Sequence, residues 1–298
     1  MQFGKVERPE LVNFTLPDDH EETKIILNES GRQGRPEVYV GCSKWTRADL
    51  KGFYPKSAKD ELAYYATQFN SIELNASFYT MYRSDQYRAW KDKTPKGFKF
   101  FPKVNQMISH IKRLRNAGRF TEEMVQGMLG LEEKLGMIFM QLHENFGPKD
   151  WDWLEGYLDH WPQGVPLAVE VRHTDWLNDE EISERYYDLL EDHNLATVIT
   201  DTPGRRDLVH MRLTTPTVFV RFVSAYHDCD YDRLDDWFER LQTWTHWGVE
   251  HIYFFIHQNL EEDSALLSEY FVKRLNEELG YQLPMPGRPR QEQQATLF

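Results

Sequence analysis

Cysteine is scarce in this chain: Cys42 and Cys229 are the only two in 298 residues and lie far apart, which argues against a disulfide framework and suits a reducing compartment. Long apolar runs are missing as well. No stretch approaches the ~20 apolar residues that a membrane-spanning helix needs, and the opening MQFGKVERPELVNF has no apolar leader core, so a cytoplasmic protein without a membrane partner is expected. Positive charge is also in short supply. With 35 Lys and Arg against 48 Asp and Glu the net charge is −13, and the bulk field repels phosphate backbones unless a local patch reverses it.

What is present is a large core. Hydrophobic residues make up 40% of the chain and aromatics 14%. Residues 1–36 are polar and punctuated by Pro9, Pro17, Gly31, Gly34 and Pro36, as befits an arm lying on the domain. Eight short β-rich runs follow: 38–42, 71–75, 98–103, 137–141, 167–172, 196–200, 218–222 and 252–257. Amphipathic stretches separate most of them. In 231–247, Leu234, Trp237, Phe238, Leu241 and Trp244 recur at helical steps before Gly248, and 264–279 repeats the device before Gly280. Asn178 with Glu181 resembles a capping box for a helix over 179–193, whereas 201–217, with Pro203, Gly204 and Pro216, reads as a loop.

Near-continuous apolar strands alternating with helices imply a parallel sheet buried on both faces, and eight strands suit a closed single-domain (β/α)8 TIM-type barrel spanning 37–283. A doubly wound open sheet is the competitor, but the first run is followed by no Gly-rich nucleotide loop. Residues 284–298, rich in Pro, Gln and Arg, are expected to be a disordered tail.

In such a barrel chemistry gathers where strands end, and polar residues close or interrupt the apolar runs there. They are Glu73, Asn75, Lys103, Gln141, Glu170, Arg172, Asp201, Arg221 and the run His257, Gln258 and Asn259. Glu73 with Asn75, and Glu170 with Arg172, are two apart and share a face. Unpaired charges facing inward are costly, so these groups must pair with one another, a ligand or water. A satisfied plug that only holds strands in register is one reading, and a ligand site is the other. Glu73 and Glu170, with pKa values raised by burial, and His110, near neutrality, are the candidate acid/base groups. A metal could draw on His110, His143, Glu73, Glu170, Asp201 and His257, but these lack compact ligand spacing, and Lys103, Arg172 and Arg221 would repel a cation. The same cations favour a small anionic ligand or nucleic-acid fragment, so no metal site is assigned.

The runs VYVGCSKW, IELNASFYTM, FKFFPKVNQMISH, LGMIFMQLHENF and LAVEVRHTDW resemble the ordered motifs of the domain of unknown function 72 (YecE-like) family, over about residues 38–260. The resemblance implies a barrel and points to Trp45, Glu73, Asn75, Phe78, Tyr79, Lys103, His110, Gln141, Glu170, Arg172 and Trp176. It carries no settled reaction and leaves the cofactor open. Trp45, Phe78, Tyr79 and Trp176 would either stack a sugar or base or roof the core. His143 where a proline is expected, the IHQN end of strand eight and the RFVSAY end of strand seven depart from the pattern, so the rim there differs.

The last five residues make a separate signal. Gln294, Leu297 and Phe298 resemble the Gln-x-x-Leu-Phe peptide by which bacterial replication and repair proteins dock on the sliding clamp, the apolar pair filling a pocket and the glutamine adding polar contacts. Two functions follow as expectations: an enzyme acting on an anionic substrate, with a repair association through the tail, or a noncatalytic anion-binding or clamp-associated adaptor.

Overall fold

The computed structural model describes residues 6–32, 34–258 and 264–287. Among them all eight apolar runs form strands: β1 (Glu37–Cys42), β2 (Ser71–Leu74), β3 (Lys99–Pro102), β4 (Ile138–Gln141), β5 (Leu167–Glu170), β6 (Ala196–Asp201), β7 (Thr217–Val223) and β8 (His251–His257). All pairings are parallel.

The ring does not close. Six strands make one sheet in the order β1-β8-β7-β6-β5-β4, and β2 pairs only with β3 in a separate two-stranded sheet. The closed (β/α)8 barrel expected from the sequence is therefore corrected to an open half-barrel of eight strands in all.

Local chemistry accounts for both seams. Between β1 and β2, side chains take the backbone groups that a ladder would use. Asn70 donates from Nδ2 to the Val38 carbonyl at 2.7 Å and accepts from the Val40 amide at 2.9 Å. The Tyr65 hydroxyl likewise accepts from the Cys42 amide at 2.9 Å and donates to the Ser71 carbonyl at 3.0 Å. Only glycine fits at position 41, because a Cβ there would lie 2.4 Å from the Ser71 carbonyl oxygen. Between β3 and β4, Pro102 has no N–H to donate, and pairing shrinks to isolated bridges at Phe100–Leu135 and Lys103–Phe139.

Alternation along the strands divides the core. Phe101, Phe139, Ala168, Ala196, Val198, Phe219, Tyr253 and Phe255 point inward and form one buried cluster. The Phe101 ring lies 4.6 Å from that of Tyr253 and 4.9 Å from that of Phe255, so aromatic packing holds the two-stranded sheet against the concave side of the larger one. Alternate residues face the helices. Leu234, Trp237, Phe238, Leu241 and Trp244 of helix Cys229–Trp247 are buried against β7 and β8 residues such as Phe222 and Phe254. That helix ends at Gly248 in the left-handed region (φ 111°), and helix Ser264–Leu279 completes the layer.

Helix Glu180–Asp192 is capped by Asp179, whose side chain accepts from the Ile182 amide at 3.1 Å, rather than by the expected Asn178–Glu181 box. The N-terminal arm carries a helix of its own, Glu21–Glu29, pinned where Thr23 Oγ1 donates to the Met211 carbonyl at 2.9 Å. Near the other end Pro286 is buried. Asn259, Gln294, Leu297 and Phe298 lie outside the described residues. No helix among the described residues is long and apolar enough to cross a membrane.

Candidate functional site

The inward alternation that fills the half-barrel with Phe and Ala changes character at the C-terminal ends of the strands. The inward series 253, 255 ends at His257 on β8, 219 at Arg221 on β7, and 139 at Gln141 on β4. On β5 the series beginning at Ala168 runs on through Glu170 to Arg172 just past the strand. Glu73 sits in register with Phe101 on β3, and Lys103 follows two residues later. One polar layer therefore caps one apolar layer.

Arg221 is its hub. Its guanidinium donates from Nε and Nη2 to the two oxygens of Glu73, at 3.0 and 2.9 Å, and from Nη1 to Glu170 Oε2 at 2.7 Å. Because an ionised carboxylate only accepts, His257 must donate its Nε2–H to Glu73 Oε2 at 2.7 Å. Asn75 Nδ2 donates to Glu73 Oε1 at 2.9 Å. Arg172 forms an ion pair with Glu170. Gln141 joins this network to Lys103: its Nε2 donates to Glu170 Oε1 at 3.2 Å, and its Oε1 accepts from Lys103 Nζ at 2.7 Å.

Burial and pairing pull against each other here. Burial pushes the Glu73 carboxyl up, but Arg221 and His257 prevail and hold it well below the usual carboxylate range. Burial acts likewise on Glu170, yet Arg172 and Arg221 bring it down to about 2. The expectation of raised carboxylates is thus corrected: the charges that pair with them outweigh desolvation. Arg172 is lowered by burial to about 10, against the pull of Glu170. Arg221 is pushed down by burial but raised on balance by Glu73 and Glu170.

Lys103 behaves differently. It is 8% exposed, its Nζ lies 4.3 Å from the Phe78 ring, and among the described residues no carboxylate forms an ion pair with it. Burial, reinforced by Arg221 and only partly opposed by Glu170 and Glu73, lowers it to about 7. His110 sits on the single π-helical turn Met107–Ile111, its ring 4.8 Å from Phe78 and 5.2 Å from His143. Burial first, and Lys103 next, push it down to about 4, which favours the neutral imidazole at neutral pH.

The other sequence candidates scatter. Asp201 is one residue out of phase with inward Ala196 and Val198, and it turns into the helix layer. There it pairs with Arg206, accepts from Arg233 Nη2 at 2.8 Å and from Trp237 Nε1 at 2.8 Å, and lies apart from the polar layer. Trp45 packs edge-on against Trp90 at 5.6 Å. Trp176 is wholly buried and donates to the Phe146 carbonyl at 2.8 Å. Tyr79 is 70% exposed, and its ring packs edge-on against that of Phe78 at 5.0 Å. Two participants were underweighted in the sequence: His257, whose parity with Phe255 marks it as inward, and Phe78, which covers Lys103. Among the described residues no three His, Cys, Asp or Glu side chains gather as metal ligands. A cavity of about 580 Å³ opens at the opposite, N-terminal end of the strands, lined by residues such as Met137, Pro166, Leu195 and His251. That cavity also carries titratable residues, Asp159, Asp192, His193, Glu250 and His251, but the buried and mutually paired charges lie at the C-terminal end, where parallel α/β folds place their ligands.

Relatives share this framework. The family described as "Protein of unknown function DUF72" matches residues 39–293. The chain belongs to the DUF72 family. Within it, the chain is 27% identical to UPF0759 protein YecE of Escherichia coli K12 over 285 residues, covering 88% of this chain and all of that protein. UPF0759 protein YunF of Bacillus subtilis is 27% identical over 152 residues, which is 47% of this chain and 52% of YunF. Among solved structures, a DUF72 family protein of Thermotoga maritima superposes with a TM-score of 0.65 at 25% identity, covering 81% of this chain and all of that one. One from Enterococcus faecalis shares the fold with a TM-score of 0.67 at 20% identity, covering 85% of this chain and 99% of its own.

Proposed function

We propose that the polar layer at the C-terminal strand ends binds a small anionic ligand, phosphorylated or nucleic-acid-derived, and that the protein acts on it as an enzyme. Lys103 carries this reading. Glu73 and Glu170 balance Arg221 and Arg172 charge for charge, which leaves a nearly buried lysine with no carboxylate ion pair among the described residues. A buried cation without a counter-ion is costly, and an incoming anion would relieve that cost. Arg172, at the rim with a side chain 12% exposed, offers the guanidinium fork, while Gln141 and Asn75 add polar groups. The acid/base role moves from His110 to Lys103, whose proton exchanges near neutral pH. Glu73 and Glu170 stay ionised and serve as bases or electrostatic stabilisers. The competing reading is a noncatalytic anion-binding protein built on the same layer.

A thermal-shift screen of phosphates, phosphorylated sugars, nucleotides and carboxylates tests binding, and Arg172 separates its modes. Arg172→Ala should weaken the best ligand by about tenfold or more, as expected for loss of a charged hydrogen bond. Arg172→Lys should lose less, because charge survives while the fork does not. Equal losses would reduce Arg172 to a plain electrostatic role. If no anion stabilises the wild type, the layer is a structural plug.

The QATLF pentapeptide supports a second element, docking on a bacterial sliding clamp through Leu297 and Phe298 as buried anchors with Gln294 beside them. Ordering a peptide backbone on binding offsets much of the gain, so an affinity of roughly micromolar is expected. In fluorescence polarisation a labelled peptide of residues 288–298 should bind the clamp, and the Leu297→Ala/Phe298→Ala peptide should not. Failure of the intact protein to bind at high micromolar concentration would remove this partner and leave the anion site as the whole function.

A further inference from the structure

We propose that Lys103 captures a carbonyl compound covalently, its Nζ condensing with a phosphorylated or carboxylated aldehyde or ketone whose anionic group rests beside Arg172. This deepens the anion-site reading and rests on it.

The surroundings of Lys103 suit an amine better than an ammonium. An anion anchor works best as a permanent charge, and Arg172 at the rim supplies one, whereas Arg221 is engaged by Glu73 and Glu170. The lysine is nearly buried with Arg221 nearby, and desolvation and that like charge outweigh the attraction of an ammonium for the faces of the Phe78 and Phe139 rings, 4.3 and 5.9 Å from Nζ. Its hydrogen bond goes to a neutral acceptor, Gln141 Oε1 at 2.7 Å, which engages one N–H and orients the remaining positions on nitrogen. Gln141 is itself fixed by donating to Glu170 at 3.2 Å, and Glu170 is locked by Arg221 at 2.7 Å. The amine is therefore desolvated and held on a fixed hydrogen-bonded network. Burial and Arg221 lower its pKa to about 7, which brings the neutral amine within reach near neutrality.

In the step itself the nitrogen lone pair attacks the carbonyl carbon. A C–N bond forms, the carbonyl oxygen takes up a proton, and the nitrogen gives one up to solvent. The resulting hydroxyl takes a second proton from solvent and leaves as water while the nitrogen lone pair closes the C=N bond, and the iminium returns its remaining N–H proton to solvent. Amine plus carbonyl gives imine plus water, with no oxidant or reductant.

Pyridoxal phosphate, a phosphorylated aldehyde, is a suitable probe. The full chain would be incubated with it at pH 7, reduced with borohydride and mapped by peptide mass spectrometry, with inorganic phosphate binding followed separately by thermal shift. The expected result is a reduced adduct at Lys103, formed at least about tenfold faster than on exposed lysines such as Lys112, which have no anion anchor like Arg172 beside a desolvated amine. Inorganic phosphate should slow that labelling, and Lys103→Arg should lose the adduct. The mapping on wild type stands even if the variant does not fold. Labelling spread over surface lysines with none at Lys103 overturns carbonyl capture. If phosphate still stabilises the protein in that case, anion binding survives; if it does not, both readings fall.

Discussion

Arg221→Met is expected to cost about 3–5 kcal/mol of folding stability at pH 7, the range for removing one partner of a buried ion pair. Two fully buried carboxylates depend on this guanidinium, Glu73 through two hydrogen bonds and Glu170 through one at 2.7 Å. Without it they face each other across an apolar floor that includes Phe139, whose ring lies 5.2 Å from the guanidinium carbon. The pH dependence gives the effect a signature. In the wild type both carboxyls are depressed, so the stability they contribute is fully present above their ordinary value near 4.5 and is lost as pH falls through the folded value, about 2 for Glu170. Removing Arg221 leaves Glu170 only Arg172 and Glu73 only His257 against burial and mutual repulsion, so both groups rise relative to the wild type, and a protonated carboxyl then relieves the strain. Urea unfolding at pH 7 and pH 5 should therefore show the deficit of the variant narrowing in acid. A deficit below about 1 kcal/mol at pH 7, or one that does not change with pH, would contradict the hub assignment.

Asp201→Ala should be comparably damaging, about 3–5 kcal/mol, while leaving anion affinity within about twofold of wild type. Asp201 is fully buried and accepts from Arg233 and Trp237, each at 2.8 Å, in addition to pairing with Arg206. Its loss strands the Trp237 indole N–H and leaves buried Arg233 to Asp230, 2.7 Å away, as its remaining carboxylate. Asp201→Asn keeps an acceptor of the same size and should lose less. Denaturation coupled to ligand titration checks both halves. If Asp201→Ala weakened anion binding as Arg172→Ala does, Asp201 would belong to the site despite facing the helix layer.

Much of this was legible in the chain itself. The eight apolar runs mark the strands because a sheet covered on both faces has no polar side to show, and the helical steps of Leu234, Trp237, Phe238, Leu241 and Trp244 mark a helix lying on it. Two-residue parity placed Glu73, Glu170 and Arg172 on the inward face, and the same rule applied to Asp201, out of phase with Val198, would have sent it outward. Three matters depended on tertiary structure. Whether eight strands close depends on which groups compete for backbone hydrogen bonds at the seams, and no periodicity reveals that Asn70 and Tyr65 reach β1 and β2 first. Protonation was decided by neighbours distant in sequence: burial alone predicts raised glutamates, but Arg221, 148 residues from Glu73, reverses the sign. Lys103, one cation among several in the sequence, acquired its separate character only when folding assigned the glutamates to the arginines and left it against Phe78. Local pattern determines which residues form strands and which way they point, whereas the partner each buried charge finds is a property of the packed whole.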